Sequence, residues 1–448
     1  MAKFTETIRN IFKIEELRQR IGFTALMLLC VRIGSFISVP GIDVSAIKYM
    51  KQANNNTLFG LFDMFVGGAY SNAAIFALGI MPYISASIIF QLLSSVVPYF
   101  QKLQQEGEQG RKTINAYTRY AAIGLAFAQG IAVAASQQGN SPSIVAESVQ
   151  GFLSFVLPSA IIFTAGTMLL MWIGDQITDK GIGNGTSLII FIGIIARLPH
   201  SIAEEFQLAL ASRNFIVEAV IFVLFIAVIV LVVMFTQAVR KVPVQYAKRR
   251  VGDKMMGGQT SHIPIQLITA NVMPIIFAQA IMFIPNSIIQ YMPGTKISDF
   301  MVQYMRHDSW FYALVFATII IFFTFFYTAI VFSPRNISED MKKNGGFIPG
   351  IRPGKPTEEY LDNILLRVTV PGALFLALIA VLPVFVTKLG VAGNFASFFG
   401  GTTVLIMVGV AIDTLNQIQS YLLMRHYDGF MKSGKLRGRQ GVNTVQNT

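Results

Sequence analysis

Apolar residues in this chain come in long unbroken runs, not in the scattered spacing of a soluble domain. FIVEAVIFVLFIAVIVLVVMF (215–235) is the plainest example. A run of about 18 or more apolar residues with almost no charge predicts a helix that crosses a membrane. The alternation expected of a membrane β-barrel is absent from it. Ten such spans are predicted, near 21–40, 74–97, 118–137, 151–173, 183–199, 215–236, 267–291, 310–332, 368–388 and 400–424. The fifth is short. The seventh holds Asn271, Pro274, Gln279 and Pro285, which predicts a kinked helix with one polar side, tolerated where protein or water faces it. One stretch does not fit the pattern. LFGLFDMFVGGAYSNAAIF (58–76) is apolar for half a span, breaks at Gly67 and Gly68, and then restarts.

Composition agrees with the runs. Of 448 residues, 53% are hydrophobic and 13% are charged, against about 25% charged in soluble domains. The fold class expected is an all-α polytopic membrane protein. Charge sets the orientation: with both termini in the cytoplasm, 27 of the 35 Lys and Arg fall inside, 7 fall outside, and Arg32 lies within a span. That imbalance is a strong positive-inside signal and supports an even number of spans. Ten spans divide into five and five near residue 200, and two similar five-span halves must then be inverted repeats. The divisions expected are 1–200 and 201–448. The N-terminal stretch lacks the features of a cleaved signal peptide and is expected to stay in the protein.

Candidate chemistry is sparse. Cys30 is the only cysteine, and His200, His262, His307 and His426 lie far apart and outside the spans. HExxH, GxSxG and P-loop motifs do not occur. Neither an enzymatic activity nor a cofactor or metal is expected. Charge deep in a span is costly and usually functional, and three cases stand out: Arg32, close enough to the Pro40-Gly41 exit to snorkel outward; Glu218, near the outer end of its span; and Asp413, beside Asn416, Gln417 and Gln419. GIGNG (181–185) reads as a tight turn with close helix approach, not as a phosphate cradle. Two inside loops, within 237–266 and 333–367, are basic and longer than connection requires, which favours a docking surface.

Six separated stretches resemble the bacterial SecY family, the pore-forming subunit of the general protein-secretion channel. They are RIGSFISVPGID (32–43), FALGIMPYISASIIFQLL (76–93), ITDKGIGNG (177–185), YAKRR (246–250), FIPGIRPGKPTEEYLD (347–362) and FGGTTVLIMVGVAIDTLNQ (399–417). The resemblance implies ten transmembrane helices in two inverted five-helix halves around a central hourglass pore. Residues 58–70 match a re-entrant plug helix, with Leu61, Phe62 and Phe65 in it and Gly67 and Gly68 turning the chain back. Ile80, Ile84, Ile190, Ile194, Ile276 and Ile406 match the pore ring. Taken alone, isoleucines on apolar helices are ordinarily core or lipid-facing; the ring rests on the resemblance. A lateral gate is implied between the second and third spans and the seventh and eighth, with Ser85, Ser87, Gln129, Asn271 and Gln279 as candidates. Lys248, Arg249, Arg250 and Arg352 match the tips of the loops where a ribosome or the motor ATPase SecA docks. Other partners implied are the small membrane subunits SecE and SecG, signal peptides, nascent chains and the lipid bilayer. The bacterial inner membrane is the implied location.

The function expected is a protein-conducting channel that passes unfolded chains and releases apolar segments sideways into lipid. A secondary transporter for a small solute is the alternative. It would place ionisable residues or unwound helices at the membrane midplane, where this chain places isoleucines.

Overall fold

The computed structural model describes residues 14–43, 63–139, 145–146, 149–212, 215–246, 249–251, 254–256, 260–268, 273–291 and 309–432. Each of the ten predicted spans falls on a helix. In chain order these are α1 (Glu15–Gly34), α2 (Met81–Val96), a short α3 (Pro98–Gln105), α4 (Glu108–Gly139), α5 (Leu157–Lys180) and α6 (Gly185–Ser212). Then come α7 (Phe215–Gln237), α8 (Met273–Tyr291), α9 (Trp310–Val331), α10 (Pro334–Lys343), α11 (Lys355–Lys388), the single turn α12 (Gly393–Ala396) and α13 (Gly401–Lys432). Among the described residues seven helices are long and apolar enough to cross a membrane, or eight if α2 and α3, bent by 95° at Val97, form one span. Pro98 explains the bend. It starts α3 at the first helical position and pushes Val97 into an extended conformation.

The structure corrects several boundaries. Residues 71–80, predicted as the start of the second span, form successive turns, and the helix begins only at Met81. The fifth span ends near 199 by hydropathy, yet α6 continues to Ser212 with Pro199 inside it. Backbone hydrogen bonding does not stop where apolarity stops. The division expected at residue 200 therefore falls inside a helix.

Three apolar clusters describe the packing. One is built only from residues below 200, including Leu78, Ala126, Val133, Phe155 and Phe163. A second is built only from residues above 200, including Val232, Ile275, Tyr312, Ile320 and Leu376. The third draws on both, from Val31 in α1 to Val410 in α13. Each half thus has its own core, and a shared core lies between them.

Outside the helices, β1 (Val239–Tyr246) pairs antiparallel with β4 (Thr260–Gln266), from Val239 opposite Gln266 to Gln245 opposite Thr260. Between them β2 (Arg249–Val251) and β3 (Lys254–Met256) form a second hairpin. The other basic loop supplies β5 (Gly346–Phe347), which pairs with the end of β1. Val242, Val244, Ile265, Met341, Ile348, Leu361 and Leu365 bury a small core of their own beneath this sheet. The two loops, separated by more than 60 residues in sequence, form one folded unit.

Candidate functional site

The shared core contains the six isoleucines. Ile80 stands just before the first turn of α2 and Ile84 one turn later. Ile190 and Ile194 lie one turn apart on α6, so they share a face. Ile276 is on α8 and Ile406 on α13. Ile80, Ile190, Ile194 and Ile406 are buried members of one cluster, and Ile84 and Ile276 pack against it. Four helices from both halves thus bring β-branched side chains into one apolar cluster. These residues are stiff at χ1 and present a defined apolar surface.

The same cluster holds Met64 and Phe65. Of the expected plug, Leu61 and Phe62 lie outside the described residues, while 63–65 form a helical turn and 66–80 a series of turns. Phe65 is 8% exposed and packs in this cluster. Phe65, Gly193, Ile80, Ile190, Arg32 and Ser35 line a void of about 20 Å³, room for about one water.

Both glycines that break this segment have left-handed backbones, with φ of +66° at Gly67 and +93° at Gly68. Such conformations cost an ordinary residue. Gly67 also lies backbone to backbone with α6: a Cβ added to it would stand 2.8 Å from Gly193 Cα, and one added to Gly193 would stand 2.7 Å from the Phe65 carbonyl oxygen. Only a glycine on each side allows this approach.

Charge fastens the segment. Asp63, 1% exposed, accepts from the Ser71 backbone N–H at 2.9 Å and from Ser71 Oγ at 2.5 Å, and it pairs with Arg197 Nη2. Arg32 does not snorkel outward. Its Nη1 donates to the Gly67 carbonyl at 2.8 Å, and its guanidinium lies over the Phe36 ring. The segment is further strapped to the end of α1, where Val39 N–H donates to Ala73 O and Ile75 N–H to Ile37 O, both at 2.9 Å. Asp63, Arg197 and Gly193 were not among the expected site residues. An acid inside LFDMFV is the available signal for Asp63; Arg197 lies two residues from the expected end of the fifth span, where a charge draws no notice. Glu218, expected near water, is only 5% exposed.

Where the two halves meet on one side, α8 and α9 face α2. Ile88, Phe277 and Phe323 form the buried centre of this seam, flanked by Ile84, Leu92, Ile319 and Tyr327. Phe277 meets Phe323 and Tyr327 edge to face, with ring centroids 5.9 and 5.7 Å apart. Of the expected gate residues, Ser85, Ser87, Gln129 and Gln279 are half-buried, and Asn271 lies outside the described residues. The centre of the seam is apolar and aromatic, which sequence reasoning missed. Nothing in a run of phenylalanines marks the ones on which the other half packs.

At the opposite end, GIGNG is a turn of close contacts. Gly183 has φ +86°, and its N–H donates to Gln417 Oε1 at 2.8 Å. A Cβ on Gly185 would lie 1.9 Å from the Gly174 carbonyl oxygen. Ile182 N–H donates to Thr24 Oγ1 at 3.1 Å, so α1, α5, α6 and α13 are joined here. On the two-loop unit, Arg352 is exposed, and its turn is held by Thr357 Oγ1 donating to Arg352 O and Ser338 Oγ donating to Gly354 O, both at 2.8 Å. Arg249 and Arg250 lie on β2 of the tip hairpin, and Lys248 lies outside the described residues.

Known proteins resemble this arrangement. A family model described as SecY matches residues 74–415. The protein translocase subunit SecY of Halalkalibacterium halodurans is 42% identical, over 95% of this chain and 99% of the relative. Among solved structures, "The structure of a protein conducting channel" superposes with a TM-score of 0.63 at 16% identity, covering 94% of this chain and 95% of that one. "Sec61 in the Canine ribosome-channel complex from the endoplasmic reticulum" superposes with a TM-score of 0.58 at 16% identity, covering 94% and 95%.

Proposed function

The chain belongs to the SecY family, and from that premise we propose how its geometry conducts protein. It is a multi-pass membrane protein and the channel-forming subunit of a protein translocase. The observation that carries the reading is the convergence of six isoleucines from α2, α6, α8 and α13, with Phe65 seated against them. They form the pore ring, and residues 58–70 form the plug. With the plug seated, the waist is dry and holds back ions. When the plug leaves, aliphatic side chains close around an extended polypeptide of almost any sequence, since they offer it no fixed hydrogen-bond partner.

The α2/α8/α9 seam is the lateral gate. Ile88 of α2, buried against Phe277 and Phe323, holds it by packing worth about 1.5–3 kcal/mol. A signal sequence entering the seam replaces those contacts with its own apolar side chains, at about −0.3 to −0.6 kcal/mol per residue at a helix centre. About ten such residues offset the seam. The chain does no bond chemistry itself, and energy comes from a partner. The two-loop unit with Arg249, Arg250, Lys248 and Arg352 is the docking face for a ribosome and for the motor ATPase SecA; the Sec61 neighbour is described in a ribosome-channel complex. SecE and SecG accompany the channel in the bacterial inner membrane, with both termini cytoplasmic.

The decisive experiment replaces Ile276 or Ile406 with Asn and measures ion current through the reconstituted complex in planar bilayers without substrate. A polar amide wets the waist, so resting current rises and weak signal sequences are accepted. Resting conductance equal to that of the unaltered channel in both variants would remove the ring assignment.

A further inference from the structure

The waist is apolar, but what holds its plug is ionic. Met64 and Phe65 would seat by packing alone. The chain nevertheless places an acid beside them, 1% exposed, with its oxygens shared among Ser71 N–H, Ser71 Oγ and Arg197. Arg197 itself comes from α6, so the pair ties the movable segment to the frame. Arg32 approaches the same turn from α1 and holds the Gly67 carbonyl. Arg197 lies close enough to Gly68 that an added Cβ would meet its Nη2 at 3.0 Å. Two guanidiniums therefore flank one two-glycine turn, with Asp63 as the counter-charge paired to Arg197. Lifting the segment removes that carboxylate and leaves two arginines beside the waist.

We propose that Asp63 and Arg197 form an exchangeable charge latch, and that Arg197 and Arg32, once uncovered, form a binding site for carboxylates of the polypeptide in transit. The proposal rests on the reading of residues 58–70 as a plug. A latch made by packing alone has no competitor in a passing chain. An ionic one does, because an acidic side chain of the substrate satisfies the guanidinium that Asp63 has left. Removing one partner of a buried pair is strongly destabilising because it strands the other. The strandedness is asymmetric here: without Asp63 the frame keeps two unbalanced cations, and without Arg197 the plug keeps a buried anion. Reseating the plug is then favoured only when no substrate carboxylate occupies the arginines.

The test uses the complex with its partner subunits, in vesicles and planar bilayers, on a Cys30→Ser background. Asp63→Asn and Arg197→Gln should each raise substrate-free ion leak by about tenfold or more. The double variant should leak no more than the worse single, and the exchange Asp63→Arg with Arg197→Asp should restore the seal. Once the channel is held open by a stalled substrate, Arg197→Gln should lose preference for anions over cations, while Asp63→Asn, whose side chain has left the mouth, keeps it. A stalled segment bearing four Asp should slow plug reclosure relative to one bearing four Asn, and Arg197→Gln should abolish that difference. Wild-type leak in both singles, additive leak in the double, or unchanged ion preference in Arg197→Gln would each overturn the latch. Thermal unfolding of every variant identifies misfolding, and the exchanged pair keeps the test valid if a single variant folds poorly. A separate arm bridges cysteines at 65 and 190, which line one void. If that bridge leaves translocation intact, the plug reading fails; if it blocks translocation while the latch variants behave as wild type, only the latch fails.

Discussion

Gly193→Ala tests the seat of the plug by adding a single methyl group. The added Cβ would lie 2.7 Å from the Phe65 carbonyl oxygen and 3.2 Å from Gly67 N. Both are backbone atoms, so no flexible side chain can swing aside. Ordinary contact begins near 3.4 Å, and the plug must retreat by several tenths of an ångström to reach it. Overpacking of this kind costs about 1–3 kcal/mol, which lowers the ratio of seated to unseated plug about 5- to 150-fold at 1.4 kcal/mol per factor of ten. The sign of the other effect makes the test sharp. Within a helix interior, Gly to Ala stabilises by about 1 kcal/mol, and Gly193 is inside α6. The variant should therefore melt at the same temperature or higher while leaking more. Resting current in planar bilayers, alongside the thermal unfolding midpoint of the purified complex, reads both. A variant that is equally tight at an unchanged midpoint would refute the reasoning, because it would mean that residues 65–67 do not rest on α6 in the closed channel.

Two further outcomes follow from the geometry. Phe277→Ala removes the ring against which Ile88 of α2 packs from the other half, together with its edge-to-face contacts to Phe323 and Tyr327 on the neighbouring α9, a loss of about 3–5 kcal/mol of core packing of which the part facing Ile88 loosens the seam; export of a reporter with a shortened, weakly apolar signal sequence should rise, and unchanged selectivity among signal sequences would count against this seam as the gate. Arg352→Glu reverses an exposed charge on a turn whose backbone is held by Thr357 and Ser338, so the protein should insert and melt normally while motor-driven or ribosome-coupled transport falls; normal transport of the reporter would remove the docking role.

The places where sequence reading stopped short share a cause. Hydropathy placed a span on each of the seven described helices long and apolar enough to cross a membrane, because crossing lipid demands apolar length whatever the helix touches. It misjudged the end of α6 because Ser201, Glu204 and Glu205 are polar but still helical; Glu205 accepts from Ala392 N–H and Glu204 from Asn394, both at 2.7 Å, so their partners are nearly 190 residues away. The strands of the two-loop unit were read as basic loops. Their small core needs Val242 and Ile265 from one loop and Met341 and Leu361 from the other, and neither loop carries enough apolar surface alone to announce a fold.

The sequence by itself determined that the chain is a helical membrane protein, that its polar loops are predominantly basic on one side, and, through six short resemblances, which isoleucines to watch. Those are properties of local composition, and solvent imposes them segment by segment. Only the tertiary structure decided that the isoleucines share one apolar cluster, that Gly193 admits the turn at Gly67, that Ile88 packs against phenylalanines of α8 and α9, and that Asp63 meets Arg197 across 134 residues. Such pairings depend on distances between helices, and a one-dimensional pattern of apolar and polar positions does not contain them.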